Sequence, residues 1–141
     1  MASIEEIRDE RIKKLNILKD AGVDPYPAKS KKDFNISEAI SRFDELSAKG
    51  VLSLVGRVMA LRGQGALVFF NFYDGTGTLQ GLLKKGEIED AKLDLFNATV
   101  DIGDFVQVSG NLFITKRGER TIQVKDWKMH SKSLRPLPGE Y

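Results

Sequence analysis

Apolar positions in this chain recur with two different periods, and the change of period divides it. Ile4, Ile7, Ile12, Leu15 and Leu18 fall within one broad stripe at helical spacing. Ser3 and Glu6 have the spacing of a capping box ahead of that stripe, and Gly22 offers a stop after Ala21. Asp24-Pro25-Tyr26-Pro27 cannot extend the helix, because each proline lacks a backbone donor and drives its predecessor toward extended geometry. A rigid elbow is predicted there, then a charged connector from Lys29 to Asp33. Residues 36–50 predict a second helix through Phe43 and Leu46, ending near Gly50. From Val51 the pattern becomes that of strands. Residues 51–62 predict a long, bent first strand around Gly56, and Gly63-Gln64-Gly65 the turn that follows. Residues 67–73 and 78–84, joined by Asp74-Gly75-Thr76-Gly77, predict a β-hairpin. Ile88, Ala91 and Leu95 predict a short helix within 86–96, and Asp101-Ile102-Gly103-Asp104 a turn. Residues 105–116 and 121–129 predict two last strands, joined by Arg117-Gly118-Glu119-Arg120.

Three strands, a helix and two strands, with the first strand bent, is the order of a five-stranded Greek-key barrel, the OB-fold. An open α+β sheet is the other arrangement of these elements. The helix between the third and fourth strands favours the barrel, because it can plug one end. The expected class is mainly β with helices: a helical extension over 1–50, the barrel over 51–132 and a linker over 133–141.

Alternation within the hairpin gives its two faces different chemistry. Val68, Phe70 and Phe72 share one face, while Phe69, Asn71 and Tyr73 share the other. In the return strand Leu79 and Leu83 flank Gly81, and Thr78, Gln80 and Lys84 mark the wetter side. Aromatic rings beside carboxamides suit unstacked nucleic-acid bases. An OB-fold presents strands two and three, with the loops between strands one and two and between four and five, to oligonucleotides. Four residues stand out at those places. Phe69 offers a ring for stacking, and Gln80 can donate to and accept from a base edge. Arg62, at the mouth of the first loop, suits phosphate or a carbonyl, and Glu119 can accept from a base N–H. Each has a plainer reading. Phe69 fits a core as well, Gln80 a bystander on a wet face, and Arg62 and Glu119 a surface pair with each other or with solvent.

Charge and composition narrow the alternatives. The 22 basic and 20 acidic side chains leave a net charge of +2, which excludes a purely electrostatic, histone-like binder but not a local basic patch. Arg8, Arg11, Lys13, Lys14 and Lys19 read as a solvated helix face. With no cysteine and His130 as the single histidine, thiolate metal sites, disulfides and a histidine-based triad lack their components. His130 reads as an ordinary strand-end residue. Neither glycine-rich turn has the lysine and hydroxyl of a phosphate-cradling loop. No apolar run approaches the ~20 residues that span a bilayer, and the N-terminus lacks the apolar core of a signal peptide, so no membrane partner and a cytoplasmic location are expected. The chain reads as a binding module without catalytic residues or a cofactor of its own. Its apolar helical stripe also admits a protein-interaction role.

These residues resemble the N-terminal anticodon-binding domain of class II lysyl-tRNA synthetase, over almost the whole chain. Leu18 to Gly22 and the Pro25-Tyr26-Pro27 elbow are similar to that family's helix end, and Val55 to Arg62 with Gly65 and Phe69 to its first strand and loop. Asp74, Gly77, Leu79 and Gln80 fit its hairpin, 101–104 its turn, and 132–138 its junction to the catalytic domain. The strand motif is shared with the aspartyl and asparaginyl enzymes; the elbow and the junction are more specific. The resemblance implies that Phe69 stacks on the central anticodon uridine, that Gln80 reads that base's edge and that Arg62 and Glu119 contact flanking anticodon groups. It further implies a lysine tRNA as partner, a homodimer in the full-length protein, and a catalytic domain beyond this segment that carries the ATP, magnesium and lysine sites. The alternatives are a general single-strand binder with an OB-fold and the equivalent domain of an aspartyl- or asparaginyl-tRNA synthetase.

Overall fold

The computed structural model describes residues 3–23 and 32–134, and helices give way to strands where the sequence period changes. In order the elements are α1 (Ile4–Asp20), α2 (Ile36–Ser41), α3 (Phe43–Lys49), β1 (Leu52–Gln64), β2 (Leu67–Tyr73), β3 (Thr78–Lys84), α4 (Asp90–Thr99), β4 (Phe105–Ile114) and β5 (Arg120–Ser131). The predicted Pro-Tyr-Pro elbow and the junction from Arg135 onward lie outside the described residues.

The strands close into a barrel in the order β1-β2-β3-β5-β4. One long strand makes closure possible. The first half of β1, Leu52 to Arg57, pairs with β4, and the second half, Arg57 to Gln64, pairs with β2. Between them the register shifts at Met59, one extra residue that bends the strand from one neighbour to the other. The bend predicted at Gly56 therefore falls three residues later. Gly56 instead permits close approach, since a Cβ there would lie 2.7 Å from the Phe72 ring. A parallel pairing of Gln80–Leu82 with Thr121–Gln123 completes the circuit.

The inward set of the hairpin is Val68, Phe70, Phe72, Leu79 and Leu83, all buried as alternation requires. Phe70 lies 5.5 Å from Phe96 of α4, and Phe96 meets Trp127 edge-on at 5.2 Å, so the helix does plug the barrel. Its phase differs from the sequence expectation. Gly86 turns with φ +94° and Ile88 bridges to Lys85, so the helix starts only at Asp90 and buries Leu93 and Phe96, leaving Ala91 exposed.

The single helix expected over 36–50 is two, broken at Arg42. The break lets both Ile36/Ala39 and Phe43/Leu46 bury their side chains. The β2–β3 turn caps α2, because Asp74 Oδ2 accepts from Ile36 N–H at 2.8 Å and Thr76 Oγ1 from Ser37 N–H at 3.1 Å. Ser3 caps α1 as predicted, accepting from Glu6 N–H at 3.1 Å. The α1 stripe is covered only in part: Leu18 is buried and Ile7, Ile12 and Leu15 are half-buried, whereas Ile4 remains about two-fifths exposed. Nor is its basic face wholly solvated. Arg11 is buried, and Lys14 Nζ donates to Asp101 at 2.6 Å. The same turn holds Lys132, whose Nζ, fully buried, donates to Asp101 at 2.8 Å and to Asp104 at 2.6 Å. Ser133 N–H donates to Asp104 at 2.7 Å, so order continues into the segment read as linker.

Candidate nucleic-acid interface

Cross-strand register assembles the outward face of the barrel. Arg62 stands opposite Phe69, and Phe69 opposite Leu82, in one row; Asn71, Gln80 and Thr121 form the next. All of these but the buried Thr121 line a concavity of about 770 Å³, within the range of ligand sites. The β4–β5 hairpin walls its other side with Phe113, Thr115, Lys116, Arg117 and Glu119. That hairpin is held by a Gly118 turn at φ +85° and by Thr115 N–H donating to the Glu119 carbonyl at 3.0 Å.

All four sequence-predicted residues meet here, each in a setting the sequence did not show in full. Phe69 is half-buried and turned away from the core, so its ring is available along the concavity. Arg62 lies two residues inside β1 rather than at its end, because β1 runs on to Gln64 and only Gly65-Ala66 turn. It does not reach Glu119 as a partner. Its Nη2 donates to Gln80 Oε1 at 2.8 Å and to Asn71 Oδ1 at 3.3 Å. Gln80 is not on a wet face: 8% exposed, it lies in the floor of the site. A carboxamide so placed needs partners, and besides Arg62 it donates through Nε2 to Thr121 Oγ1 at 3.0 Å. Glu119 is exposed on the hairpin.

Several lining residues were missed by the sequence reading. Phe113 and Thr115 line the site, and Thr121 lies buried behind Gln80, because β4 and β5 fold beside β3, a pairing that no local pattern announces. Lys116 and Arg117 carried a visible signal, two adjacent cations at a hairpin tip. Together with Arg62 they set three cations against the single carboxylate of Glu119 around the concavity, a balance that favours a polyanion. The arrangement can stack one planar ring, hydrogen-bond its edge and neutralise nearby phosphate. Among the described residues no cluster of three or more histidine or acidic side chains could hold a metal, and no helix is long and apolar enough to cross a membrane.

The chain is similar to several known proteins. Lysine--tRNA ligase of Thermotoga maritima is 39% identical over 143 residues, covering 98% of this chain and 28% of that protein. Lysine--tRNA ligase 2 of Methanosarcina mazei is 36% identical over 135 residues, 94% of this chain and 26% of the relative. The lysylphosphatidylglycerol biosynthesis bifunctional protein LysX of Mycobacterium avium is 34% identical over 131 residues, 93% of this chain and 11% of the relative. The chain thus spans little more than a quarter of the longest-covered of these relatives. The profile of the OB-fold nucleic acid binding domain matches residues 52–129, from the start of β1 almost to the end of β5. By that match, and by the closed five-stranded barrel it covers, the chain belongs to the OB-fold nucleic acid binding domain family.

Proposed function

We propose that this chain is the anticodon-binding domain of a class II lysine–tRNA ligase, and that it stacks a uridine of the anticodon loop on Phe69 while Gln80 reads that base's edge. One observation carries the reading: Arg62, Phe69, Gln80 and Glu119, distant in sequence, line a single concavity. Its size suits a splayed base, and its excess of cations suits the phosphates on either side. The names of the relatives support lysine tRNA as the ligand. Arg62 and Glu119 then contact the flanking anticodon groups. On the same reading the full-length protein is cytoplasmic and dimeric, and amino-acid activation with ATP and magnesium belongs to a separate catalytic domain joined to this one.

Titration of an anticodon stem-loop at fixed, modest salt tests the assignment. Phe69→Ala is expected to lose about 1–3 kcal/mol of binding, the usual worth of one base–aromatic stack, with the fold intact. Unchanged affinity refutes it. Equal affinity of the unsubstituted chain for any unstructured oligonucleotide points instead to a general single-strand binder.

A further inference from the structure

The Gln80 carboxamide is held at both ends. Its Oε1 accepts from Arg62 Nη2 at 2.8 Å, and its Nε2 donates to Thr121 Oγ1 at 3.0 Å. Thr121 is fully buried, and the single hydrogen of its hydroxyl goes to the Glu119 carbonyl at 3.1 Å. A flipped carboxamide would set Nε2 against the Arg62 donor. It would also set Oε1 against a hydroxyl that has no hydrogen left to give. Both ends favour the same sense, but the Arg62 side chain is exposed and shares its Nη2 with Asn71, so the buried Thr121 is the fixed end. A carboxamide has two N–H donors and two acceptor lone pairs, so one donor and one acceptor remain for a ligand, in a fixed order.

That order matters for a pyrimidine. Uracil presents a carbonyl acceptor beside a ring N–H donor, and cytosine presents an amino donor beside a ring-nitrogen acceptor. A carboxamide free to rotate pairs with either edge; one held in a single sense pairs with only one. We propose that Thr121 is a positioning residue that locks the Gln80 carboxamide, and that this lock makes the site discriminate a uracil-type edge from a cytosine-type edge. The inference rests on the anticodon reading above and adds to it the residue that sets its specificity.

Thr121→Val keeps the β-branched shape and removes the hydroxyl, whereas Thr121→Ser keeps the hydroxyl. The unsubstituted chain and both variants are titrated with two RNA stem-loops that differ only in uridine or cytidine at the loop centre. The preference for uridine is expected to fall about tenfold in Thr121→Val, within the worth of one bidentate base contact, and to return in Thr121→Ser. A preference unchanged in Thr121→Val overturns the proposal. In the free, unsubstituted chain, NMR is expected to show cross-peaks from the Gln80 carboxamide protons to the Thr121 side chain. Their absence overturns the lock whatever the RNA does. Failure of the unsubstituted chain to bind either stem-loop, with those cross-peaks present, overturns the anticodon reading and with it the assigned specificity, while the carboxamide's restraint stands.

Discussion

Replacing Lys132 with methionine isolates the energetics of the buried charge cluster that joins the end of the barrel to the first helix. The ammonium is fully buried between Asp101 and Asp104, at 2.8 and 2.6 Å, and the Asp104 side chain is equally inaccessible. Methionine retains most of the apolar stem, so the change is chiefly electrostatic. Removing one partner of a buried pair typically costs about 3–5 kcal/mol, because the remaining charge is left desolvated. Here the lower end is expected, about 3 kcal/mol. Asp101 keeps Lys14 at 2.6 Å, and Asp104 still accepts from the Asp101 and Ser133 N–H groups at 2.8 and 2.7 Å. Urea unfolding measures the difference. Lys125→Met is the comparison, since its ion pair with Glu87 is largely exposed and is worth at most about 1 kcal/mol.

The pH dependence separates lost charge pairing from lost packing. Burial holds the Asp104 carboxyl above the usual carboxylate range even with Lys132 opposing it, and removal of the lysine moves it higher. A carboxyl raised in the folded state binds protons there before it does in the unfolded chain. The Lys132→Met deficit is therefore largest near neutrality and shrinks as pH falls toward the ordinary carboxylate value. A deficit no larger than that of Lys125→Met, or one equal at neutral pH and at about pH 4.5, would refute the reasoning.

Two further outcomes follow from the barrel itself. Gly81→Ala places a Cβ 2.1 Å from Phe70 Cζ and is expected to cost roughly 1–3 kcal/mol as the ring is displaced; an unchanged melting temperature would show that the ring does not lie there. Burial works to raise the Asp74 carboxyl, but N–H donors from Ile36, Thr76 and Gly77 and the Thr76 hydroxyl outweigh it and hold it below its ordinary value. Its contribution is thus present above the ordinary carboxylate range and is lost as pH falls through the lowered folded value. Asp74→Asn is expected to reduce stability at neutral pH and to flatten the acid limb of the stability curve; an acid limb identical to that of the unsubstituted chain would exclude the capping role.

Much of the interface is legible in the amino-acid sequence, for local reasons. Parity along β2 separates Phe69 and Asn71 from Phe70 and Phe72 wherever the strand finally packs. The glycine-bearing turn at 74–77 then fixes which residues face each other across the hairpin. The state of Gln80 could not be read this way. Its burial depends on Thr121, 41 residues away and brought alongside by the parallel pairing. The same holds for Arg11 and Lys132, which composition assigns to solvent and which the turn at 101–104 draws inward.

The amino-acid order alone determined the order of helices and strands apart from the break at Arg42, the inward set of the hairpin and the outward placement of Phe69, because these follow from backbone periods and turn chemistry over a few residues. Only the tertiary structure decided where β1 bends, which face α4 buries and how Gln80 is oriented. Those outcomes depend on which distant strands meet, and hence on which polar groups lose their water and must find partners within the protein.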